Sequence, residues 1–220
     1  MAGAGEPGRE GSGQEPLLVF RTMMRRLRAE CPWKREQTHR SLSRYLLEEA
    51  HETLEAVDAL AAAEDAGDPR RRDAAASHLR EELGDLLLQV YFHAAVAEEH
   101  GDFDLDDVAS GLAEKMVRRN PHVFGPDPVA HDDATSVDDA WQRIKAEERP
   151  RAALLDGVPA TLPALLLADK ALDRLARAGR PVEDLDPDDL GDRLLGLVAE
   201  ARAAGADPEQ ALRDAVRRRV

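Results

Sequence analysis

The apolar residues of this chain recur at intervals of three and four, and hardly anywhere at intervals of two. Leu42, Leu46, Ala50, Leu54 and Val57 keep that spacing, as do Leu79, Leu83, Leu86, Val90, Ala94 and Ala97. A period near 3.6 lays such residues along one face of a helix, whereas a half-buried strand needs strict alternation. No stretch alternates convincingly, so the sequence predicts an all-α helical bundle. Composition agrees: aromatic residues make up 4% of the chain, and the apolar mass is mostly Ala, Leu and Val, a helix-leaning mix. A length of 220 residues allows one domain with an appendage, or two small domains.

Punctuation residues divide the pattern. Residues 1–16 are Gly/Glu-rich without an apolar segment, which reads as a disordered tail and not as a secretory signal. A helix begins at Leu17 and breaks near Cys31-Pro32-Trp33. Thr38 or Ser41 can cap the next, which Gly67-Asp68-Pro69 interrupts. Residues 70–77 are either loop or the first turns of the helix through Leu79 and Ala97, which stops before Gly101. Leu105–Arg119 follows and stops at Asn120-Pro121; residues 121–136 read as loop, then Val137–Glu148 as a short helix and Pro150–Pro159 as a second loop. Leu162–Ala178, Pro187–Ala203 and Pro208–Arg218 are three more helices. One short pattern repeats: Glu82-Leu83-Gly84-Asp85-Leu86-Leu87-Leu88 returns as Asp189-Leu190-Gly191-Asp192-Arg193-Leu194-Leu195.

Charge narrows the functions. The formal net charge of −14 argues against a protein that coats duplex DNA or an anionic membrane by bulk attraction. No apolar run approaches a membrane span, and the single Cys31 excludes an internal disulfide framework and a cysteine-rich zinc site. A soluble, cytoplasmic protein with no nucleic-acid polymer and no membrane as partner is expected.

Two acid pairs, Glu49-x-x-Glu52 and Glu82-x-x-Asp85, fall on two separate predicted helices. Spacing alone says little, because 44 of 220 residues are acidic and chance supplies about five such arrangements. Helix phase says more. With zero at Leu46 and at Leu79, Glu49 and Glu82 both fall near about −60°, and Glu52 and Asp85 near about −120°. Both pairs then flank a buried apolar stripe on the same side, with Tyr45 on the first flank and His78, Gln89 and His93 on the second. Four carboxylates brought together repel unless a cation neutralises them, and oxygen-only ligands suit Mg²⁺ or Mn²⁺ over zinc. A di-iron site would need Glu-x-x-His on two helices; Glu48-x-x-His51 is the single match, and Glu48 points the other way. Metal-assisted attack of water on a polyphosphate is the other chemistry that fits, and it also needs cations for the substrate. Lys115 and Arg119 project together at a spacing of four, as do Trp141 and Lys145. Each alone has a plain structural explanation in a helix dipole or a core edge.

Read in order, these residues resemble the MazG family of nucleoside triphosphate pyrophosphohydrolases. The likeness runs through Cys31-Pro32-Trp33 with Gln37-Thr38-His39, then Tyr45 to Glu52, Glu81 to Val90 and Arg118 to Gly125. It continues through Trp141-x-x-x-Lys145 and Leu155-Asp156-Gly157-Val158-Pro159, covering about Phe20 to Gly179. The resemblance implies an all-α fold completed by dimerisation. It also implies Mg²⁺-dependent cleavage of the α–β bond of an NTP or dNTP to NMP and pyrophosphate, a nucleotide-pool housecleaning activity, with Mn²⁺ a possible substitute. By the same analogy Glu49, Glu52, Glu82 and Asp85 hold the metal, no catalytic group is separable from the metal-activated water, and Tyr45, Lys115, Arg119, Trp141 and Lys145 bind the nucleotide. Residues 17–149 would form the catalytic module, and 150–220 a linker and a degenerate second helical module.

Departures from the family pattern are Lys34 where Asp is common, Asn120 where His is usual, and a spacer of 29 residues between Glu52 and Glu82. Asp189-x-x-Asp192 has no Glu-x-x-Glu helix before it, so the second module is expected to be a structural, dimer-forming remnant. The competing reading is a catalytically silent helical interaction module whose acids are merely solvated.

Overall fold

A computed structural model describes residues 15–125, 133–148 and 153–219, all helices and connections, with no strand among the described residues. The chain divides into two compact units, Met1–Val129 and Ala130–Val220, and each is described by itself. No described helix is long and apolar enough to cross a membrane. The expected N-terminal tail lies outside the described residues as far as residue 14; Pro16 is already helical.

In the first unit, α1 (Pro16–Glu30) ends where Cys31 turns extended ahead of Pro32, as the residue before a proline prefers. The short α2 (Pro32–Glu36) carries Trp33. Helix α3 (His39–Asp65) opens on a capping box in which Thr38 and Ser41 each accept from the other's backbone amide, so both expected caps act together. Gly67, at φ 64°, closes α3 in a conformation that costs a glycine nothing. Asp68 then accepts from the amides of Arg70 and Arg71 and starts α4 (Pro69–His100). Residues 70–77 are therefore the first turns of a helix of 32 residues. Gly101, at φ 73°, ends it. Helix α5 (Leu105–Arg119) is capped by Asp104 and Asp107 and followed by the short α6 (Pro121–Phe124), so the expected loop contains a helical turn.

Helices α3 and α4 are the principal pair of this unit, and α1 and α5 pack on α4. Met24, Leu42, Tyr91, Phe92 and Val96 form the core, with Phe20, Leu27, Tyr45, Leu88 and Leu105 against it. Arg28 shares the core-facing phase of α1 and is buried, its guanidinium paired with Glu99 at 2.5 and 2.7 Å and donating to the carbonyls of Lys34 and Gln37. A buried guanidinium is tolerated only when so partnered, and this one ties α1, the α2 loop and α4 together. The pairing holds the Glu99 carboxyl below the usual carboxylate range.

One expectation is corrected here. The apolar stripe is buried only in part within the single chain: Leu42, Ala94 and Ala97 are buried, whereas Leu46, Leu54, Val57, Leu83 and Val90, with the neighbouring Leu87, are each 37–49% exposed. A pair of helices buries one seam, and α3 and α4 close on the side of Glu49, Thr53, Ala56 and Ala63, with Ala56 and Ala63 buried. The leucine and valine row is left on the open face of the hairpin.

The second unit holds α7 (Ala134–Glu148), α8 (Ala164–Arg177), α9 (Leu190–Ala203) and α10 (Pro208–Arg217). Leu172 and Val198 are buried in it. Arg177 of α8 pairs with Asp138 and Asp139 of α7 at 3.0 and 2.9 Å, and Arg202 of α9 pairs with Asp169 and Asp173 of α8 at 2.5 and 3.1 Å. Helix α9 begins at Leu190, three residues later than Pro187, because Asp189 is its N-cap.

Candidate metal and nucleotide site

Antiparallel packing of α3 on α4 sets Glu49 opposite the turn of α4 that carries Glu82 and Asp85. One oxygen from each of these three carboxylates lies within 4.8 Å of the others, and all three side chains are half-buried. Both helices pass without interruption through this level, so the backbone amides are spent on the helix ladder and the acids turn toward one another. The Oγ1 of Thr53 donates to the carbonyl of Glu82 at 3.4 Å across the seam. His78, one turn before Glu82, brings its Nε2 to 3.0 Å from that carboxylate.

Crowding shows in the electrostatics. Burial raises the Glu49 carboxyl above its ordinary range, and the charges of Asp85, Glu52 and Glu82 raise it further in that order. The side-chain amide of Gln89 acts in the opposite direction, donating to Glu49 Oε1 at 3.5 Å. A group of acids that resist joint ionisation is suited to a divalent cation, whose charge removes the penalty. The donor set is carboxylate oxygen, which suits a hard divalent cation.

Among the residues singled out by phase, the structure brings Glu49, Glu82 and Asp85 together. Glu52 stands apart from that group: it is exposed, at the rim, close enough for its charge to act on Glu49. Tyr45 is half-buried one turn before Glu49, its ring edge-on to Trp33 with centroids 5.9 Å apart. Lys115 and Arg119 are half-buried in the last turns of α5. Trp141 and Lys145 are half-buried on α7, in the second unit. Of the departures from the family pattern, Lys34 sets its ammonium over the rings of Trp33 and Phe92 at 5.5 and 5.0 Å, and Asn120 donates from its side chain to the Met116 carbonyl at 2.7 Å. Helix phase puts Gln89 on the acid flank without a task; its signal is a polar residue within the largely apolar stretch Leu86–Ala97. Arg28 carried a similar signal, a charge at the phase of Phe20, Met24 and Leu27.

An uninterrupted helix pair that converges three carboxylates on one point defines an all-α protein with an acidic cluster that could hold a metal ion. Comparison with known proteins makes this specific. Residues 37–124 match the MazG nucleotide pyrophosphohydrolase domain, a span that contains every carboxylate of the site. A nucleoside triphosphate pyrophosphohydrolase of Escherichia coli K12 is 39% identical over 84% of this chain and 68% of its own length. The nucleoside triphosphate pyrophosphohydrolase/pyrophosphatase MazG of Thermotoga maritima is 35% identical over 90% of this chain and 80% of its own. A nucleoside triphosphate pyrophosphohydrolase of Mycobacterium tuberculosis is 40% identical over 92% of this chain, which spans 55% of that relative. The chain belongs to the MazG family.

Proposed function

We propose that this protein hydrolyses nucleoside triphosphates, NTP or dNTP, to nucleoside monophosphate and pyrophosphate with Mg²⁺, Mn²⁺ being able to substitute, as a housecleaning activity on the nucleotide pool. The observation that carries the reading is the convergence of Glu49, Glu82 and Asp85 in the seam of α3 and α4 in a member of this family. In their ionised state these carboxylates, with Glu52 at the rim, would hold the cation. When bound, the cation screens the phosphate charge and acidifies the attacking water. Water adds to the α-phosphorus, the bond from that phosphorus to the bridging oxygen breaks, and its electron pair leaves with pyrophosphate while the proton passes to solvent. Within the first unit, Lys115 and Arg119 take phosphate oxygens and Tyr45 lines the same site. With the carboxylates neutralised, these cations give an acidic protein a locally favourable surface for an acidic substrate.

The reading includes a homodimer. The exposed Leu46, Leu54, Val57, Leu83, Leu87 and Val90 lie on the hairpin that holds the carboxylates, and one hairpin cannot cover its own face. A second copy offers the same row, and two hairpins so joined make a four-helix bundle with a closed apolar centre. The cytoplasm, where nucleotide pools are kept, is the compartment this activity implies.

The test is to incubate the full chain with mixed NTPs and Mg²⁺ and to measure pyrophosphate. Pyrophosphate formed in step with NMP, stopped by EDTA and by Glu49→Gln, is the expected result. Release of orthophosphate alone, or unchanged turnover in Glu49→Gln, would replace this reading with the silent interaction module.

A further inference from the structure

The polar side of α4 does not end at the carboxylates. Glu82, Asp85, Gln89 and His93 stay within one face at about 100° per residue. Gln89 is buried, 4% exposed. Its Nε2 faces Glu49, while its Oε1 is buried with no hydrogen-bond partner. One turn further along, the Nε2 of His93 is likewise buried with no partner. Buried polar atoms are nearly always satisfied, so two such atoms one turn apart on the same face call for a common explanation.

The other nitrogen of His93 is engaged. Its Nδ1 lies 2.8 Å from the Nδ1 of His39, the first residue of α3. The rings are parallel to within 3°, with centroids 5.1 Å apart. Two faces in contact could not bring nitrogens to 2.8 Å, so the imidazoles meet edge to edge through one hydrogen bond. Burial, and then the nearby His39, holds the His93 imidazole below the ordinary histidine range, which favours its neutral form.

Hydrogen-bond direction then follows from the carboxylate end. An ionised Glu49 only accepts, so Gln89 must offer it Nε2 and turn Oε1 away. That oxygen needs a donor. His93 can supply one from Nε2 if its proton sits there, which makes its Nδ1 an acceptor and His39 the donor to it. We propose that His39, His93 and Gln89 form a directed polar chain that holds the Glu49 carboxylate in its coordinating orientation. The links are His39 Nδ1–H to His93 Nδ1, His93 Nε2–H to Gln89 Oε1 through one water, and Gln89 Nε2–H to Glu49. Gln89 and His93 are positioning residues, and the inference rests on the reading of Glu49 as a metal ligand.

Two measurements test it. In the ¹⁵N-labelled, metal-free protein, long-range nitrogen–proton correlation should find His93 as the Nε2–H tautomer. Mn²⁺ binding, followed by electron paramagnetic resonance of the free ion, should weaken about 10- to 100-fold in Gln89→Met and in His93→Phe. His93→Gln, which keeps a donor near the place of Nε2, should bind within about threefold of the wild type. The proposal is overturned by an Nδ1–H tautomer at His93, by wild-type affinity in Gln89→Met, or by His93→Gln binding as poorly as His93→Phe, which would mean packing alone. Should His93→Phe fail to fold, the tautomer and the His93→Gln affinity decide. A wild-type protein that binds no Mn²⁺ would remove the metal reading, while the tautomer would still decide the polar chain.

Discussion

Residues 82–88 and 189–195 carry nearly the same string, yet the two copies do different work. Glu82 and Asp85 lie deep inside α4, where every nearby amide belongs to the helix ladder, and their carboxylates turn to Glu49 on the neighbouring helix. Asp189 and Asp192 lie at the very start of α9. Asp189 accepts from the Asp192 amide at 2.8 Å, and Asp192 accepts from the Asp186 amide at 2.9 Å. The first amides of a helix have no partner within it and draw the nearest carboxylate to themselves. An acid pair at a spacing of three thus joins a carboxylate cluster or is drawn to backbone amides according to where the helix begins.

The largest effect expected from this contrast is on turnover. Asp85→Asn should lower pyrophosphate release at least about 100-fold, and Asp192→Asn should leave it within about twofold. Equal losses in two folded proteins would mean that both copies serve the reaction.

Next in size is assembly. Each copy also exposes an apolar row: Leu83, Leu87 and Val90 on α4, and Leu190, Leu194 and Leu197 on α9. The proposed dimer uses the first. Leu83→Asp should therefore weaken self-association about 30-fold or more in sedimentation equilibrium, and Leu190→Asp should not. The reverse outcome would move the interface to the second unit.

The smallest effects are on stability, and they have opposite signs. Asp189→Ala removes a cap and should cost about 1 kcal/mol by denaturant titration. Glu49→Gln should stabilise the metal-free protein. Glu49 binds its proton more tightly in the folded state than in the unfolded chain. Its contribution is therefore present at low pH and lost as pH rises from the ordinary glutamate range through the higher folded value. The wild type in EDTA should lose stability over that interval relative to Glu49→Gln, in melts taken across pH, and Asp189→Ala should show the wild-type slope.

Much of this molecule is legible before folding. Helix starts at Thr38 and Asp104, and stops at Gly67 and Gly101, follow from local chemistry that needs no partner. Phase placed Glu49, Glu82 and Asp85 on facing flanks, because angle around a helix is a property of residue number alone. Phase could not say how far each side chain would reach, and Glu52, at an angle matching Asp85, stays on the rim. The start of α9 was less legible: composition put it at Pro187, whereas the helix begins at Leu190 with Asp189 as its N-cap.

The sequence by itself determined the longer helices, the caps at Thr38 and Gly101 and the faces on which acid and apolar residues lie, since these depend on contacts within a few residues. Only the tertiary structure decided which face became the seam. It closed α3 on α4 over the acid side, left Leu46, Leu83 and Val90 outside, buried Arg28 against Glu99, and joined His39 to His93 across 54 positions of chain. Those choices are made by the competition between whole helix surfaces for a limited interior, and no local pattern records its outcome.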